Sequence, residues 1–196
     1  MELLTFSVGP LAANCYLLWN ETTLEATIID PGDDGDFLSE KIIALGLNLK
    51  QILLTHGHFD HVLGLLPLHL NFPEAKIYLN QEDKFLYDQA EKSAKHWVPG
   101  YSPDPVPDNL VTTPPDLVKT IATPGHTPGS VCYYLKAENW LFTGDTLFQG
   151  SVGSTNHKYS SPLKLSQSLA KLKQLPGETV IYPGHGEPST IKIELS

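Results

Sequence analysis

The chain has 196 residues, of which 41% are hydrophobic, and its formal net charge at pH 7 is -9. This length suits a single domain over residues 1–196 that buries its core without stabilising disulfides. The 13 basic residues do not cluster, which argues against a nucleic-acid or anionic-membrane partner, because both are bound through lysine and arginine. No run approaches the roughly 20 apolar residues of a membrane span, and the N-terminus lacks the features of a signal peptide, so we expect a cytoplasmic protein.

The first third of the chain predicts strands separated by turns, and one helix. Short apolar runs at 16–19 and 26–29 predict two strands, and the breaker cluster at 30–35 ends the second of them. Apolar side chains at helical spacing then predict a helix that ends at Gly46. A further strand is predicted over 51–55, and it leads directly into a cluster of histidines.

The middle of the chain combines helical patterns, a strand and an irregular segment. Residues 62–70 carry apolar side chains at helical spacing, and 76–79 indicate a strand. Asn80 can cap a helix whose apolar stripe extends to Trp97. Six prolines in 98–115 argue against regular structure there, and a loop of this length usually borders a binding site or is disordered.

The last part of the chain predicts further strands and one more helix. Four apolar runs predict strands, at 118–122, 131–135, 140–143 and 179–182. Ser161 can cap a helix that has Pro162 at its first position. This alternation of strands and helices predicts an α/β layered domain with the helices outside the sheet. Cys15 and Cys132 lie in strand-like apolar runs, where we expect two buried thiols rather than a disulfide.

Four metal-capable side chains occupy the six residues from His56 to His61. His56 and His58 are two positions apart on an extended segment, so their imidazoles point to the same side and can face one ion. Asp60 and His61 fall where the strand gives way to the helical pattern, and the turn directs them toward a second position a few ångströms away. Folding alone does not call for this density of imidazole, and the segment therefore predicts a metal site.

Three further strand ends each present one ligand-type side chain. His126 lies between two Pro-Gly pairs, Asp145 stands in Thr-Gly-Asp-Thr, and His185 stands in Pro-Gly-His-Gly. Glycine lets the backbone turn tightly at each position, and side chains at strand ends are held rigidly. Together the five histidines and two aspartates suffice for two ions, since imidazole suits zinc and iron. The other histidines have no such setting and are not expected to bind metal: His69, His96 and His157.

These motifs resemble the metallo-β-lactamase superfamily, and within it the short hydrolases similar to glyoxalase II (hydroxyacylglutathione hydrolase). The matching segments span nearly the whole chain: Asn14-Cys15-Tyr16, Asp30-Pro31-Gly32, His56-Gly57-His58-Phe59-Asp60-His61, Thr123-Pro124-Gly125-His126-Thr127-Pro128-Gly129, Gly144-Asp145-Thr146-Leu147-Phe148 and Pro183-Gly184-His185-Gly186. The resemblance implies a four-layer αβ/βα sandwich with the site at one edge of its two sheets. We expect a single domain of this family over residues 1–196, which departs from glyoxalase II in that it lacks the C-terminal helical extension.

The resemblance further implies two divalent metal ions, with zinc as the first expectation and iron or manganese as alternatives. The first ion would be held by His56, His58 and His126, and the second by Asp60, His61 and His185. Asp145 would bridge the two ions, and Asp30 would orient a ligand histidine, as metal ligands generally require. Asp60 and Asp145 are also the residues assigned to catalysis.

The implied reaction is hydrolysis of a small-molecule thioester, such as the glutathione conjugate S-lactoylglutathione, by a hydroxide that two cations activate. Two alternatives stay open. One is an iron-dependent enzyme similar to persulfide dioxygenases, with His56, His126 and Asp145 as a two-histidine, one-carboxylate set. The other is a hydrolase of a lactone or a β-lactam. The sequence leaves open the acyl group, the thiol, the physiological metal and the oligomeric state.

Two segments are expected to shape the substrate pocket, namely 98–115 and 149–160. The second of them departs from the related short proteins, because Gly153-Ser154-Thr155-Asn156 stands where they read Gly-Arg-Thr-Asp. Ser154 and Asn156 therefore replace an arginine and an aspartate, which leaves the recognition of glutathione as an open point.

Overall fold

A first sheet is formed by six strands in chain order in the computed structural model, which describes residues 1–113 and 116–196. Its strands are β1 (Glu2–Val8), β2 (Ala13–Trp19), β3 (Glu25–Ile29), β4 (Asn48–Leu53), β5 (Lys76–Tyr78) and β6 (Leu110–Val111). Strands β1 to β3 pair antiparallel, and β3 to β6 pair parallel. The helices of this half are α1 (Gly35–Ala44), α2 (Leu65–Asn71), α3 (Lys84–Tyr87) and α4 (Ala90–Trp97), with 3-10 turns at Phe59–His61 and Gln81–Asp83.

A second sheet has five strands in the order β13-β12-β9-β8-β7. These strands and the remaining elements are β7 (Lys119–Ala122), β8 (Val131–Leu135), β9 (Trp140–Gly144), β10 (Leu147–Phe148), β11 (Ser151–Val152), α5 (Pro162–Leu172), β12 (Val180–Pro183), β13 (Ser189–Thr190) and α6 (Ile191–Leu195). Strands β9 and β12 pair parallel, whereas β10 and β11 form a separate small hairpin.

Alternation of side chains along the strands creates the layers. Cys15 and Leu17 of β2 belong to the apolar cluster that α1 and α2 cover, whereas Tyr16 and Leu18 belong to the cluster between the two sheets. On β8 the alternation is the same, with one face between the sheets and the other in the cluster that includes residues of α5 and α6. The order helices, sheet, sheet, helices confirms the predicted four-layer αβ/βα sandwich.

The structure differs from the sequence predictions between α2 and β7. Asn80 caps as predicted, by accepting a hydrogen bond from the N–H of Glu82, but the single helix expected up to Trp97 is divided into a 3-10 turn, α3 and α4. The carboxylate of Asp83 accepts hydrogen bonds from the N–H groups of Gly57 (3.0 Å) and Gly129 (2.6 Å). These contacts fix the turn against other loops, so helical periodicity does not decide its shape.

The structure also contains five strands that were not predicted, namely β1, β6, β10, β11 and β13. Leu110–Val111 form β6 by parallel pairing with β5, so the prediction of no regular structure in 98–115 is wrong at these residues; Pro114 and Pro115 of that segment lie outside the described residues. Strand β1 was missed because four of its seven side chains are exposed, which leaves no continuous apolar run.

Two predictions about burial and membrane spans can be compared with the structure. Cys15 and Cys132 are buried free thiols, as predicted. Within residues 1–113 and 116–196, no helix is long and apolar enough to span a bilayer.

Candidate metal centre

The site forms where four strands end at one edge of the two sheets. The segments that follow β4, β7, β9 and β12 carry the predicted ligands. Two backbone hydrogen bonds hold these segments together: the N–H of Val131 donates to the oxygen of Thr55 (2.9 Å), and the N–H of Gly184 donates to the oxygen of Gly144 (2.9 Å). The first of these bonds joins the two sheets, so ligands from both sheets share one rigid frame.

The first group of ligand atoms contains three histidine nitrogens. Nδ1 of His58 lies 3.1 Å from Nε2 of His56 and 3.0 Å from Nε2 of His126. Oδ2 of Asp145 completes the group at 3.6 Å from Nε2 of His126 and 4.0 Å from Nε2 of His56. Neighbouring ligands of a tetrahedral zinc with bonds of about 2.0–2.1 Å stand about 3.3–3.5 Å apart, so these four atoms have the spacing of one coordination sphere.

The second group contains two histidines and two carboxylate oxygens. Oδ2 of Asp60 lies 3.7 Å from Nε2 of His61 and 3.2 Å from Nε2 of His185. Oδ1 of Asp145 lies 3.5 Å from Nε2 of His61 and 3.9 Å from Nε2 of His185. All seven side chains predicted from the sequence are therefore brought together, and they form two groups that meet at Asp145.

Two buried atoms of this site have no hydrogen-bond partner among the described residues, namely Oδ1 of Asp145 and Nε2 of His61. A buried polar atom without a partner destabilises a protein by about 1–3 kcal/mol. A cation between the two atoms would satisfy both, and imidazole with carboxylate is a donor set that zinc and iron accept. The residues present therefore fit a metal ion at each group.

Asp30 makes the contact that was predicted for it. Its Oδ2 lies 3.1 Å from Nδ1 of His61, while the same carboxylate accepts hydrogen bonds from the N–H (2.7 Å) and the hydroxyl (2.6 Å) of Thr55. A carboxylate on Nδ1 fixes the ring so that Nε2 faces the site. Asp30 is buried and has a positive φ of 50°, a conformation that aspartate tolerates better than most residues.

The two groups differ in protonation. Burial, reinforced by His126, lowers the pKa of His58 to about 3, and burial with the neighbouring histidines holds the pKa of His56 well below its usual range. Burial also disfavours a charged His61, but the carboxylates of Asp60 and Asp145 outweigh it and raise the pKa of His61 to about 10. His56 and His58 thus present neutral nitrogens, the form that binds metal, while His61 is in its protonated, charged form and must lose a proton when a metal ion binds.

The loop that carries His185 is held by strand β2. The side-chain amide of Asn14 donates to the backbone oxygens of Pro183 (3.0 Å) and Gly186 (2.8 Å), which lie on either side of the histidine. The hydroxyl of Tyr16 donates to the same oxygen of Pro183 (2.6 Å). These bonds give the Asn14-Cys15-Tyr16 segment its physical role, which is to fix the position of His185.

Three residues near the site were missed or undervalued by sequence reasoning. The hydroxyl of Tyr159 lies 2.8 Å from Nε2 of His58, on the side of the ring away from the other ligands. The ring of His157 stacks on Tyr159 with centroids 5.1 Å apart and lies 5.4 Å from the ring of His58. Asp83 ties the His56–His58 segment to the segment after His126, as described above. No local pattern marks their contacts with the ligand segments, because these contacts join residues that are distant in sequence.

The backbone of Ser154 contacts one of the ligand histidines. Nδ1 of His126 lies 2.8 Å from the backbone oxygen of Ser154. Because a backbone atom makes this contact, it does not depend on the side chain at position 154. The hydrogen bond orients Nε2 of His126 toward the other ligands.

A cavity of about 360 Å³ opens over both ligand groups. It is lined by Leu11, Gly57, His58, Phe59, Asp60, Leu86, Ser93, Trp97, His126, Asp145, His157 and Tyr159. The segment 149–160 therefore helps to shape the cavity, as expected. The described part of 98–115 does not line this cavity. Its residues Val98, Tyr101 and Val106 pack against the core beneath the first sheet. The exposed side chain of Trp97, which precedes this segment, lines the cavity instead.

The remaining histidines lie outside the two ligand groups. Nδ1 of His69 is 3.4 Å from the side-chain amide of Asn109, and His96 is exposed near the end of α4. His157 lines the cavity but belongs to neither group among the described residues. Burial, aided by His126, lowers its pKa.

Two sheets between helices, with a histidine and aspartate cluster at their common edge, define a class of metal-binding αβ/βα proteins. The chain belongs to the metallo-beta-lactamase superfamily, whose family model matches residues 8–185. This finding confirms the resemblance drawn from the motifs.

Three relatives match almost the entire chain. Hydroxyacylglutathione hydrolase GloC of Haemophilus influenzae is 33% identical over 97% of this chain and 93% of that protein. The crystal structure of TTHA1623 in a di-iron-bound form is 34% identical with a TM-score of 0.89, covering 97% of this chain and 96% of that one. The crystal structure of the BLEG-1 B3 metallo-beta-lactamase is 34% identical with a TM-score of 0.85, covering 98% and 95%.

Proposed function

We propose that this superfamily hydrolase cleaves a thioester at a centre of two divalent metal ions. The observation that carries the proposal is the orientation of Asp145. Its Oδ2 lies 3.6 Å from Nε2 of His126, and its Oδ1 lies 3.5 Å from Nε2 of His61. A carboxylate whose two oxygens face two different ligand groups is suited to bridge two cations, which supports a dinuclear rather than a mononuclear centre.

The proposed ligands are the seven residues expected from the sequence. They are His56, His58, Asp60, His61, His126, Asp145 and His185. Zinc is the metal we propose, because imidazole nitrogens and carboxylate oxygens suit it. The same donors accept iron, and one relative was crystallised in a di-iron-bound form, so iron is the first alternative and manganese the second.

Two bound ions would lower the pKa of a water molecule toward about 7 and polarise the carbonyl of the substrate. Hydrolysis then forms a carbon–oxygen bond and breaks the carbon–sulfur bond, and a proton from water ends on the thiolate. A thiol has a pKa of about 8.5, so its departure needs no general acid. Asp60 and Asp145 act in this reaction as ligands that fix the ions, and no serine or cysteine nucleophile is assigned.

The choice of a thioester is supported by the relative named hydroxyacylglutathione hydrolase, which this chain matches over nearly its full length. S-lactoylglutathione is therefore the first substrate to test. The proposal includes a single domain and no nucleic-acid partner, which the net charge of -9 supports. It also includes a cytoplasmic location, since free cysteines are usual in a reducing compartment.

Metal analysis combined with thioester assays tests the proposal. We expect about two zinc ions per chain in the purified protein, and release of thiol from S-lactoylglutathione or from a simpler acyl thioester. Treatment with a chelator should abolish the activity, and zinc should restore it. A protein that contains its metals and hydrolyses no thioester would contradict the proposal.

The two alternatives give different results in the same experiment. One iron per chain, with oxygen consumption on glutathione persulfide, would favour the dioxygenase reading. That alternative does not use Asp60, His61 and His185, whose possible ligand atoms lie within 4.8 Å of one another. Rapid hydrolysis of a cephalosporin, without thioester hydrolysis, would favour a β-lactamase, the activity named for one structural relative.

A further inference from the structure

We infer that the substrate is a thioester of an uncharged, largely apolar thiol, and not of a thiol that carries several charges. This inference rests on the proposed thioester hydrolysis and adds the chemical class of the thiol. It is drawn from the side chains that surround the cavity and from the absence of lysine and arginine among these described residues.

One wall of the cavity is apolar. Leu11, Phe59, Leu86 and Trp97 line it together with the ligand atoms, and the side chains of Leu11 and Trp97 are 44% and 64% exposed at its mouth. Exposed large apolar side chains that border a concave site commonly mark a binding surface. A substrate arm that covers them is stabilised roughly in proportion to the apolar area that it removes from water.

A second part of the wall is aromatic and has no side chain with a formal charge. The ring of Tyr159 is stacked on His157 with an angle of 8° between the planes, and it meets Phe85 edge to face at 5.5 Å. The hydroxyl of Tyr159 is occupied by its contact with His58. Ser93 contributes the other side-chain hydroxyl of the lining. Apart from the ligand residues, the side chains that line the cavity are therefore apolar, aromatic or hydroxyl groups.

Apart from the proposed metal ions, the described lining of the cavity contains no lysine or arginine that could pair with a carboxylate of the thiol. The chain has no arginine, and all 13 of its basic residues are lysines. No lysine belongs to the lining, every member of which lies in the described part of the chain. The side chains with formal charge are Asp60 and Asp145, whose oxygens face the ligand histidines.

Glutathione provides the contrast. Its thioesters carry two carboxylates and one ammonium group at neutral pH. A charge that leaves water without a partner of opposite charge is strongly disfavoured. The apolar and aromatic side chains of the wall provide no such partner. Two exposed lysines are adjacent in sequence to lining residues: Lys92 precedes Ser93, and Lys158 lies between His157 and Tyr159. An uncharged thiol of similar length meets no such penalty.

A pair of substrates with the same acyl group tests the inference. We compare S-lactoylglutathione with the S-lactoyl thioester of N-acetylcysteamine, a short neutral thiol, and repeat the pair with butanoyl as the acyl group. We expect kcat/KM to be at least about tenfold higher for the neutral thiol, equivalent to about 1.4 kcal/mol, mainly through a lower KM. A preference for the glutathione thioesters would overturn this inference and leave the proposed hydrolysis intact. Absence of hydrolysis with all four compounds would overturn the proposed function as well.

Three variants, one of them a matched control, locate the effect in the cavity. Leu86→Lys introduces a cation into the apolar wall and should shift the preference toward glutathione thioesters. Leu163→Lys, at an exposed leucine on α5, should leave the preference unchanged. Lys158→Ala should also leave it unchanged; a selective rise of KM for glutathione thioesters in that variant would show that Lys158 binds the charged thiol and would overturn the inference. Metal content and thermal unfolding confirm that each variant is folded.

Discussion

Asp145 and His61 face each other across 3.5 Å, between Oδ1 and Nε2, and both atoms are buried without a hydrogen-bond partner among the described residues. The two residues arrive from different sheets, Asp145 after β9 and His61 after β4. Their approach therefore depends on the packing of the whole sandwich. A stable fold that brings an unpaired carboxylate oxygen and an imidazole nitrogen together supports a cation as the missing partner.

Replacement of Asp145 by alanine is the most direct test of the bridging role. We expect Asp145→Ala to lower the metal content from about two ions to one or fewer, and to lower kcat/KM by more than about 100-fold, because even partners outside the ligand set contribute about 10–100-fold. Metal analysis and thioester assays measure both effects. His69→Ala, outside both ligand groups, serves as the control with full metal content. Near-normal activity in Asp145→Ala would refute the bridge.

The seven proposed ligands could be found from the sequence because each follows an apolar strand and stands beside glycine or another ligand. The position of His185, for example, is visible in Pro-Gly-His-Gly alone. The residues that support the ligands could not be found in this way. Tyr159 contacts His58 across 101 positions, and Asp83 contacts Gly57 across 26. Such contacts depend on how distant segments pack, and local patterns do not encode them.

Tyr159→Phe tests the support that His58 receives from outside the ligand set. The variant keeps the aromatic ring but removes the hydroxyl that lies 2.8 Å from Nε2 of His58. We expect the affinity of the first metal position to fall about tenfold, measured as faster extraction of metal by a chelator. The thermal unfolding of the metal-free protein should change little.

His157→Ala provides the comparison for Tyr159→Phe. It removes the ring stacked on Tyr159 but no atom of the ligand groups, so the metal content should stay complete. An equal loss of metal affinity in both variants would show that the aromatic stack, and not the hydroxyl, supports His58.

Gly184→Ala tests how tightly the second ligand group is packed. A Cβ at this position would lie 2.2 Å from Oδ1 of Asp145 and 2.8 Å from Cε1 of His61. Both distances are too short, so the carboxylate must move, and a displacement of 1 Å at a reacting centre reduces activity by about 100-fold. We expect a selective loss of the second ion, measured by metal analysis. Gly177→Ala, whose nearest contact would be 3.3 Å away at Lys192, should retain both ions; a complete metal set in Gly184→Ala would contradict this geometry.

The layered fold was predictable from the sequence because most of its longer strands are short apolar runs that end at glycine, proline or polar turn residues. The division of the helix after Asn80 was not predictable, because the buried carboxylate of Asp83 satisfies backbone groups of two other loops. The strand Leu110–Val111 could not be predicted for a related reason, since a two-residue strand exists only through its pairing with β5. In both places tertiary contacts override the local pattern.

The two cysteines should be unreactive in the native protein. Burial raises the pKa of Cys132 to about 11 and that of Cys15 well above its usual range. At pH 8 both groups are therefore protonated, and the thiolate is the form that reacts. We expect a thiol reagent to modify neither cysteine in the folded protein and both after denaturation. Rapid modification of one cysteine under native conditions would show local opening of its strand.

Metal binding should release protons from the second ligand group. Asp60 and Asp145 raise the pKa of His61 to about 10. The ring of His61 is therefore in the charged form, with both nitrogens protonated, in the metal-free protein at pH 7.5. A ligand histidine must be neutral, so the proton leaves when the metal binds. The apparent affinity should therefore rise with pH until about 10. Calorimetric titration of the metal-free protein with zinc, in two buffers of different ionisation enthalpy, should show release of about one proton or more. His61→Ala should lose this release, whereas identical enthalpies in both buffers for the unaltered protein would contradict a protonated His61.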